Sequence, residues 1–143
     1  MTFKTASIDD FDIAFNFCKQ LWTNNNFDRS QILNVYQEVI NDPESFAFFI
    51  VDNGEYKGFC HGNYFNTFWM SGLSCYVSSL VTDKNERRKG YGRMLMDHAK
   101  ELAKEKGCKA LFLLSGFQRT DAHAFYEAYG FEKGSYGFDL PLD

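Results

Sequence analysis

Apolar residues recur along this chain at two periods, near 3.6 and near 2, and the change from one to the other marks out the elements. "FKTAS" reads as a short first strand. Asp9 or Asp10 then caps a helix running to Trp22, with Phe11, Ala14, Phe15, Cys18, Leu21 and Trp22 on one stripe. "NNNFD" breaks it, and Asp28 or Ser30 starts a second helix in which Ile32, Leu33, Tyr36, Val39 and Ile40 return at helical spacing. "NDPES" ends that helix, because Pro43 steers the residue before it away from helical backbone. "SFAFFIVDNGEYKGFCHGNYF" reads as a hairpin turning at "DNGE", and "SCYVSSLVT" as an alternating, β-branched strand. From residue 90 to 106 the helical period resumes. Met94, Leu95, Ala99, Leu102 and Ala103 take one side, with Tyr91 one turn earlier; Arg93, Asp97, Lys100, Glu101, Lys104 and Glu105 take the other, and Gly107 is a stop signal. A strand "KALFLLS", a helix around "TDAHAFYEAYG" and a last strand pair near "FEKG" and "YGFDLPL" complete the chain. The order β-α-α-β-β-β-α-β-α-β-β predicts an α/β or α+β fold around a mixed sheet.

Size and composition add limits to this picture. The 143 residues fit one domain, 1–143, with no internal repeat, low-complexity stretch or linker. Aromatic residues make up 18% of the chain, including sixteen Phe, and rings in that number fill a core or a ligand groove. A net charge of -4 argues against nucleic-acid binding, which needs a broad basic surface. The N-terminus lacks an apolar core of signal-peptide length and no stretch is long enough to span a bilayer, so the expected setting is cytoplasmic, with no membrane partner. Cys18, Cys60, Cys75 and Cys108 form no C-x-x-C pair and have apolar neighbours, which predicts buried free thiols. His61, His98 and His123 show no metal-ligand spacing, so no metal is expected.

Against this acidic background, "ERRKGYGR" is a local positive knot at the start of a helix. A helix start carries unpaired backbone N–H groups and partial positive charge. Gly90 and Gly92 clear side chains from the turn, and Arg87, Arg88 and Lys89 add mobile charge. Together they suit a phosphate or pyrophosphate. The Walker pattern is absent and only G-x-G of a dinucleotide fingerprint is present, so the same residues are also compatible with ordinary turn chemistry and a solvated basic loop.

The segment Arg87-Arg88-Lys89-Gly90-Tyr91-Gly92 matches the [Q/R]-x-x-G-x-[G/A] motif, and "AHAFYEAYGF", Ala122 to Phe131, looks like a downstream A-x-x-F-Y-E-x-x-G-F segment. In both respects, and in element order, the chain resembles the GNAT superfamily of acyl-CoA N-acetyltransferases. The resemblance implies a GNAT-like fold with two central parallel strands splayed apart and acetyl-CoA as co-substrate. It places the pantetheine arm along the backbone of Leu80, Val81 and Thr82, and the pyrophosphate on N–H groups from Arg88 to Arg93. Thr82 stands where the family usually has valine, a mild departure because the contact is through backbone.

The resemblance also implies the chemistry. An amine attacks the thioester carbonyl, and Tyr126 matches the tyrosine that protonates the leaving thiolate; a phenol with pKa about 10 holds its proton at neutral pH. Phe125, Tyr126 and Tyr129 are equally the pattern of an aromatic helix stripe. The oxyanion would be held by a backbone N–H near Val81. Many relatives carry a carboxylate base on the strand before the glycine loop, whereas this chain reads Tyr76-Val77-Ser78-Ser79. Asp28, Glu38, Glu44 and His61 remain as alternatives, each equally a surface or capping residue. Arg119 replaces the family's usual Asn; it would bind a CoA phosphate or the pantetheine region, or form a structural ion pair, and His123 would face the cofactor or be a satisfied packing histidine. Trp22, Phe27, Tyr64, Phe65, Phe68 and Trp69 could line an acceptor pocket or pack in the core or a homodimer contact. The expected activity is acetyl transfer from acetyl-CoA to a small-molecule or peptide amine. The missing strand carboxylate leaves a non-catalytic acyl-CoA-binding or sensor domain as one alternative; a protein or peptide N-acetyltransferase is another.

Overall fold

The computed structural model describes residues 1–142 and divides into two compact units, Met1–Phe112 and Leu113–Asp143. The first begins with β1 (Thr2–Thr5), a 3-10 turn (Ile8–Asp10), α1 (Phe11–Leu21) and α2 (Arg29–Asn41). β2 (Ser45–Asp52), β3 (Glu55–Thr67) and β4 (Gly72–Thr82) follow, then a 3-10 turn (Lys84–Glu86), α3 (Tyr91–Lys106) and β5 (Leu111–Phe112). The second unit holds α4 (Thr120–Tyr129). No helix among the described residues is long and apolar enough to cross a membrane.

The sheet runs β1-β2-β3-β4-β5, antiparallel except for the parallel last pair. The β2–β3 turn uses Asn53 at φ 52° and Gly54 at φ 75°, the left-handed pair that matches strand twist in a tight hairpin. Odd-numbered positions of β2, and those of β3 from Phe59 on, face α1 and α2: Phe11, Ala14, Phe17 and Tyr36 join Ala47, Phe49, Phe59 and Val81 in one core cluster. Phe49 is fully buried, and such a ring contributes about 1.5–3 kcal/mol relative to leaving it in water. Even-numbered positions face α3. The His98 ring stacks on Phe3 at 4.1 Å and meets Phe48 edge-on at 4.5 Å, and a Cβ added at Gly58 would lie 2.9 Å from Leu95 Cδ1. The sheet is thus covered on both faces, which explains its near-continuous run of buried residues from Phe46 to Ile50.

Local signals explain the helices. Asp28 caps α2, its carboxylate accepting from the Ser30 N–H at 2.9 Å. Gly107 closes α3 at φ 90°, its N–H reaching back to Ala103 and Lys104. Asp10 begins α1 from a buried position, where it accepts from Ser7 N–H and Oγ–H, from Lys4, and from the Tyr56 hydroxyl at 2.8 Å.

Two expectations need correction. The strand expected at "KALFLLS" narrows to Leu111–Phe112, because β4 offers partners only at Cys75 and Tyr76. The last pair near "FEKG" and "YGFDLPL" is not formed among the described residues. Tyr136, Phe138, Leu140 and Leu142 keep a strand's alternation, yet all four are exposed and none belongs to a strand among the described residues. Alternation selects a face but does not supply the ladder that makes a strand.

Candidate active site

β4 organises the first unit's candidate site. It pairs with β3 along its whole length, with one irregularity: His61 lies opposite Ser79 and Gly62 opposite Val77, so Ser78 is an extra residue, a β-bulge. On its other edge it pairs with β5 only through Cys75 and Tyr76. From Val77 to Thr82 no strand among the described residues pairs with that edge. Leu80, Val81 and Thr82, expected to meet an extended ligand, lie on this open stretch. The Val81 side chain belongs to the core and its carbonyl oxygen lies toward Gly58 of β3, so its neighbours Leu80 and Thr82 present the backbone of the open edge.

The chain then enters the glycine loop, which is fastened at several points. Asp83 N–H donates to the Lys57 carbonyl at 2.9 Å, and the Asp83 carboxylate accepts from Asn85 N–H. Lys84 N–H donates to Gln20 Oε1 of α1 at 3.0 Å. Glu86 accepts from Lys57 at 2.9 Å and from Lys89 at 2.6 Å. The two lysines hold the Glu86 carboxyl below its ordinary range, and Glu86 and Glu55 hold the Lys57 ammonium above its own. Lys89 is therefore engaged within the loop, while Arg87 and Arg88 are exposed beside it.

Two residues take left-handed backbone here, Arg88 at φ 67° and Gly90 at φ 86°. A Cβ at Gly90 would touch nothing within 4 Å, so the glycine serves conformation rather than clearance. No side chain caps α3 at Gly90, and the N–H groups of its first turn have no intrahelical acceptor. The Tyr91 hydroxyl donates to Asp52 at 3.0 Å, so this side chain fixes the helix start to the end of β2 and leaves the backbone N–H as what Tyr91 can offer an anion. Gly92 and Arg93 complete the first turn.

The second unit carries the remaining expected residues. Arg119 precedes α4, on which Tyr126 lies; its ring meets Phe125 at 5.5 Å and Phe131 at 5.9 Å, both near edge-on. His123 Nε2 is 2.8 Å from the Gly116 carbonyl, which ties the helix to the preceding loop.

The alternatives for a base separate clearly. Asp28 is the α2 cap, Glu44 faces Lys106 at 3.8 Å, and Glu38 is exposed on α2. His61 differs from these. Its Nδ1 is 2.7 Å from Ser78 Oγ, its Nε2 is buried without a hydrogen-bond partner among the described residues, and burial lowers its pKa. The sequence did not single out this pair, because a bulge leaves no mark in an alternating pattern.

The six aromatic residues read as lining an acceptor pocket or packing in the core or a dimer contact are divided. Trp22 and Phe27 meet near the α1–α2 connection, Tyr64 is buried against Phe46, and Phe65 and Trp69 gather on Phe112 while Phe68 stands fully exposed. A cleft of about 260 Å³ lies between Ile8–Asp12 and α2, and contains none of the expected site residues. All four cysteines are free; burial pushes Cys18 up to about 11 and Cys75 up to about 12, so neither is a thiolate at neutral pH.

Comparison with known proteins fits this arrangement. The chain is 43% identical over 72 residues to the uncharacterized N-acetyltransferase YhdJ of Bacillus subtilis (strain 168), a match spanning about half of each protein (50% and 51%). Its fold is that of a transcriptional regulator from Bacillus halodurans C-125, with a TM-score of 0.90 at 21% identity over 99% of both chains. It is also that of the aminoglycoside N-acetyltransferase AAC(6')-Iy, crystallised with CoA, with a TM-score of 0.87 at 15% identity over 99% of this chain and 93% of that one. The family model for the acetyltransferase (GNAT) family matches residues 11–131, and with the strand that outruns its parallel neighbour, the glycine loop and the helix it enters, the chain belongs to that family.

Proposed function

We propose that this chain is an acyltransferase that moves an acetyl group from acetyl-CoA to a primary amine of a small molecule or peptide, by direct attack in a ternary complex. One observation carries the reading: β4 loses its parallel neighbour after Tyr76 and runs on, open along that edge, into a glycine turn and an uncapped helix start. An open strand edge presents N–H and C=O groups to an extended, amide-bearing chain such as the pantetheine arm. The helix start presents N–H groups and positive potential to a diphosphate. Leu80, Val81 and Thr82 are assigned to the arm; Arg87, Arg88, Lys89, Gly90, Tyr91, Gly92 and Arg93 to the pyrophosphate; Arg119 to a further CoA contact. The fold shared with a CoA-bound aminoglycoside acetyltransferase supports the cofactor. The family match from 11 to 131 crosses both units and supports treating residues 1–143 as one functional domain.

In the transfer step the neutral amine attacks the thioester carbonyl, the N–H near Val81 steadies the oxyanion, and Tyr126 gives its proton to the leaving thiolate. An alkylamine with a pKa of about 10.4 must first lose a proton, at a cost of roughly 4–5 kcal/mol at pH 7. Calorimetry with CoA and acetyl-CoA, followed by thiol release across a panel of amines, tests the reading. Gly92→Glu is expected to abolish CoA binding by crowding and charge repulsion; retained affinity would move the phosphate site elsewhere. Tyr126→Phe is expected to lower turnover by about 100-fold with CoA affinity nearly unchanged. An undiminished rate would remove Tyr126 from the mechanism.

A further inference from the structure

We infer that His61 and Ser78 form the proton-accepting pair of the transfer, the acceptor amine meeting Ser78 Oγ and His61 receiving the proton behind it. The inference rests on the acetyltransferase reading and deepens it, since the usual strand carboxylate is missing from Tyr76-Val77-Ser78-Ser79.

Three independent features converge on the pair. The first is position. Ser78 is the bulged residue of β4 and comes two residues after the last pairing with β5, where the open edge begins. The bulge turns Ser78 toward the face on which His61 stands opposite Ala47 of β2 and Ser79 of β4. This is the face covered by α1 and α2. The second is contact. Ser78 Oγ and His61 Nδ1 are 2.7 Å apart, within reach for direct proton transfer. Ser78 is half-buried and can meet a ligand, while the ring lies behind it. The third is an unexplained polar atom. His61 Nε2 is buried with no hydrogen-bond partner among the described residues, an arrangement that costs stability and that an apolar side chain would avoid. Burial also disfavours the charged ring, so it stands neutral with a lone pair to accept a proton.

The step balances as follows. With the ring proton on Nε2, Nδ1 accepts the Ser78 hydroxyl hydrogen. The amine nitrogen bonds to the thioester carbon. Its excess proton passes to Ser78 Oγ as the serine's own proton passes to Nδ1, which leaves imidazolium and an intact hydroxyl. The C–S bond then breaks and the thiolate takes a proton from Tyr126. Imidazolium returns its proton to the tyrosinate through solvent, so amine and acetyl-CoA become amide and CoA thiol. Ser78 touches the amine; His61 acts through it.

A double-mutant cycle read by kinetics tests the pair. His61→Gln can still hydrogen-bond Ser78 but cannot take a proton. It and Ser78→Ala are each expected to lower kcat by about 100-fold, with the KM for acetyl-CoA and the melting temperature nearly unchanged. The double variant should be no slower than the slower single, since the two act as a unit. Ser78→Thr, which keeps the hydroxyl, should recover most of the rate. Additive losses, a His61→Gln enzyme at wild-type speed, or an acetyl group trapped on Ser78 by mass spectrometry would each overturn the inference. In the free protein, nitrogen-15 NMR should find the ring proton on Nε2; a proton on Nδ1 would overturn it without reference to any substrate. Failure of the wild-type chain to bind CoA strikes the acetyltransferase reading and the pair with it. Retained CoA binding with unaltered His61→Gln turnover strikes the pair alone.

Discussion

Asp10 shows how much one carboxylate can hold. Burial pushes its pKa up, but hydrogen bonds from Lys4, Tyr56 and Ser7 outweigh that, and the net shift is downward from 3.8. A lowered folded-state value means that the unfolded chain binds more protons in acid. The stabilisation is complete above the unfolded pKa and disappears as pH falls through the folded one. Lys4 is partly exposed, with 42% of its side chain in solvent, so its share is discounted and the Ser7 and Tyr56 bonds carry most of the effect. Asp10→Asn is expected to cost about 2 kcal/mol at pH 7 and to flatten the acid side of the stability curve. Melting temperatures across pH 2 to 7, an interval of roughly two pH units either side of a carboxyl's range, would check both. Nothing in the sequence forecast four hydrogen bonds, from three residues, to this carboxylate. Asp9 and Asp10 looked interchangeable as caps; what distinguishes Asp10 is its bonds from Ser7 and Lys4 together with the tertiary contact with Tyr56, 46 positions away.

Among the elements, the helices were legible and the sheet's far edge was not. Asp28, Gly107 and a clean 3.6 period are local signals, and α2 and α3 begin and end within about two residues of where those signals stand. β5 and the C-terminal pair depend on what lies beside them, which a linear pattern does not carry. Two glycines of β3 were silent in the sequence for the same reason. A Cβ at Gly62 would lie 2.5 Å from Phe46 Cζ and 2.7 Å from the Tyr76 carbonyl oxygen; at Gly58 it would lie 2.9 Å from both Leu95 Cδ1 and the Val81 carbonyl oxygen. Gly62→Ala is expected to cost about 1–3 kcal/mol, because backbone on one side cannot yield. A lower urea midpoint at unchanged slope would confirm overpacking without loss of the fold. Gly90→Ala should cost about 1–2 kcal/mol through its left-handed backbone alone. Comparing the two separates clearance from conformation.

For the molecule as a whole, charge and thiols give the most accessible measurements. The chain carries -4, yet Arg87 and Arg88 stand exposed at the loop while Lys89 is tied to Glu86. CoA affinity should therefore weaken several-fold between low salt and about 0.5 M, as exposed charges are screened. Arg87→Ala together with Arg88→Ala should reduce that dependence more than Lys89→Ala does. Calorimetry at several ionic strengths distinguishes these outcomes. Cys60 and Cys75 are fully buried and should react with thiol reagents only when the chain unfolds. The glycine motif was legible because its residues are contiguous. The His61–Ser78 contact was not, because it joins neighbouring strands across an irregularity.

That irregularity also fixes a frame. Each strand residue faces one side or the other by parity, and Ser78 is the extra count that lets β4 keep Val77 opposite Gly62 and Ser79 opposite His61. Removing that one residue would turn the whole preceding half of the strand over, sending the buried Cys75 and Val77 to the wrong side of the sheet. Chemical alterations at Ser78 are thus tolerable to the architecture, whereas a change of length at the same point is not.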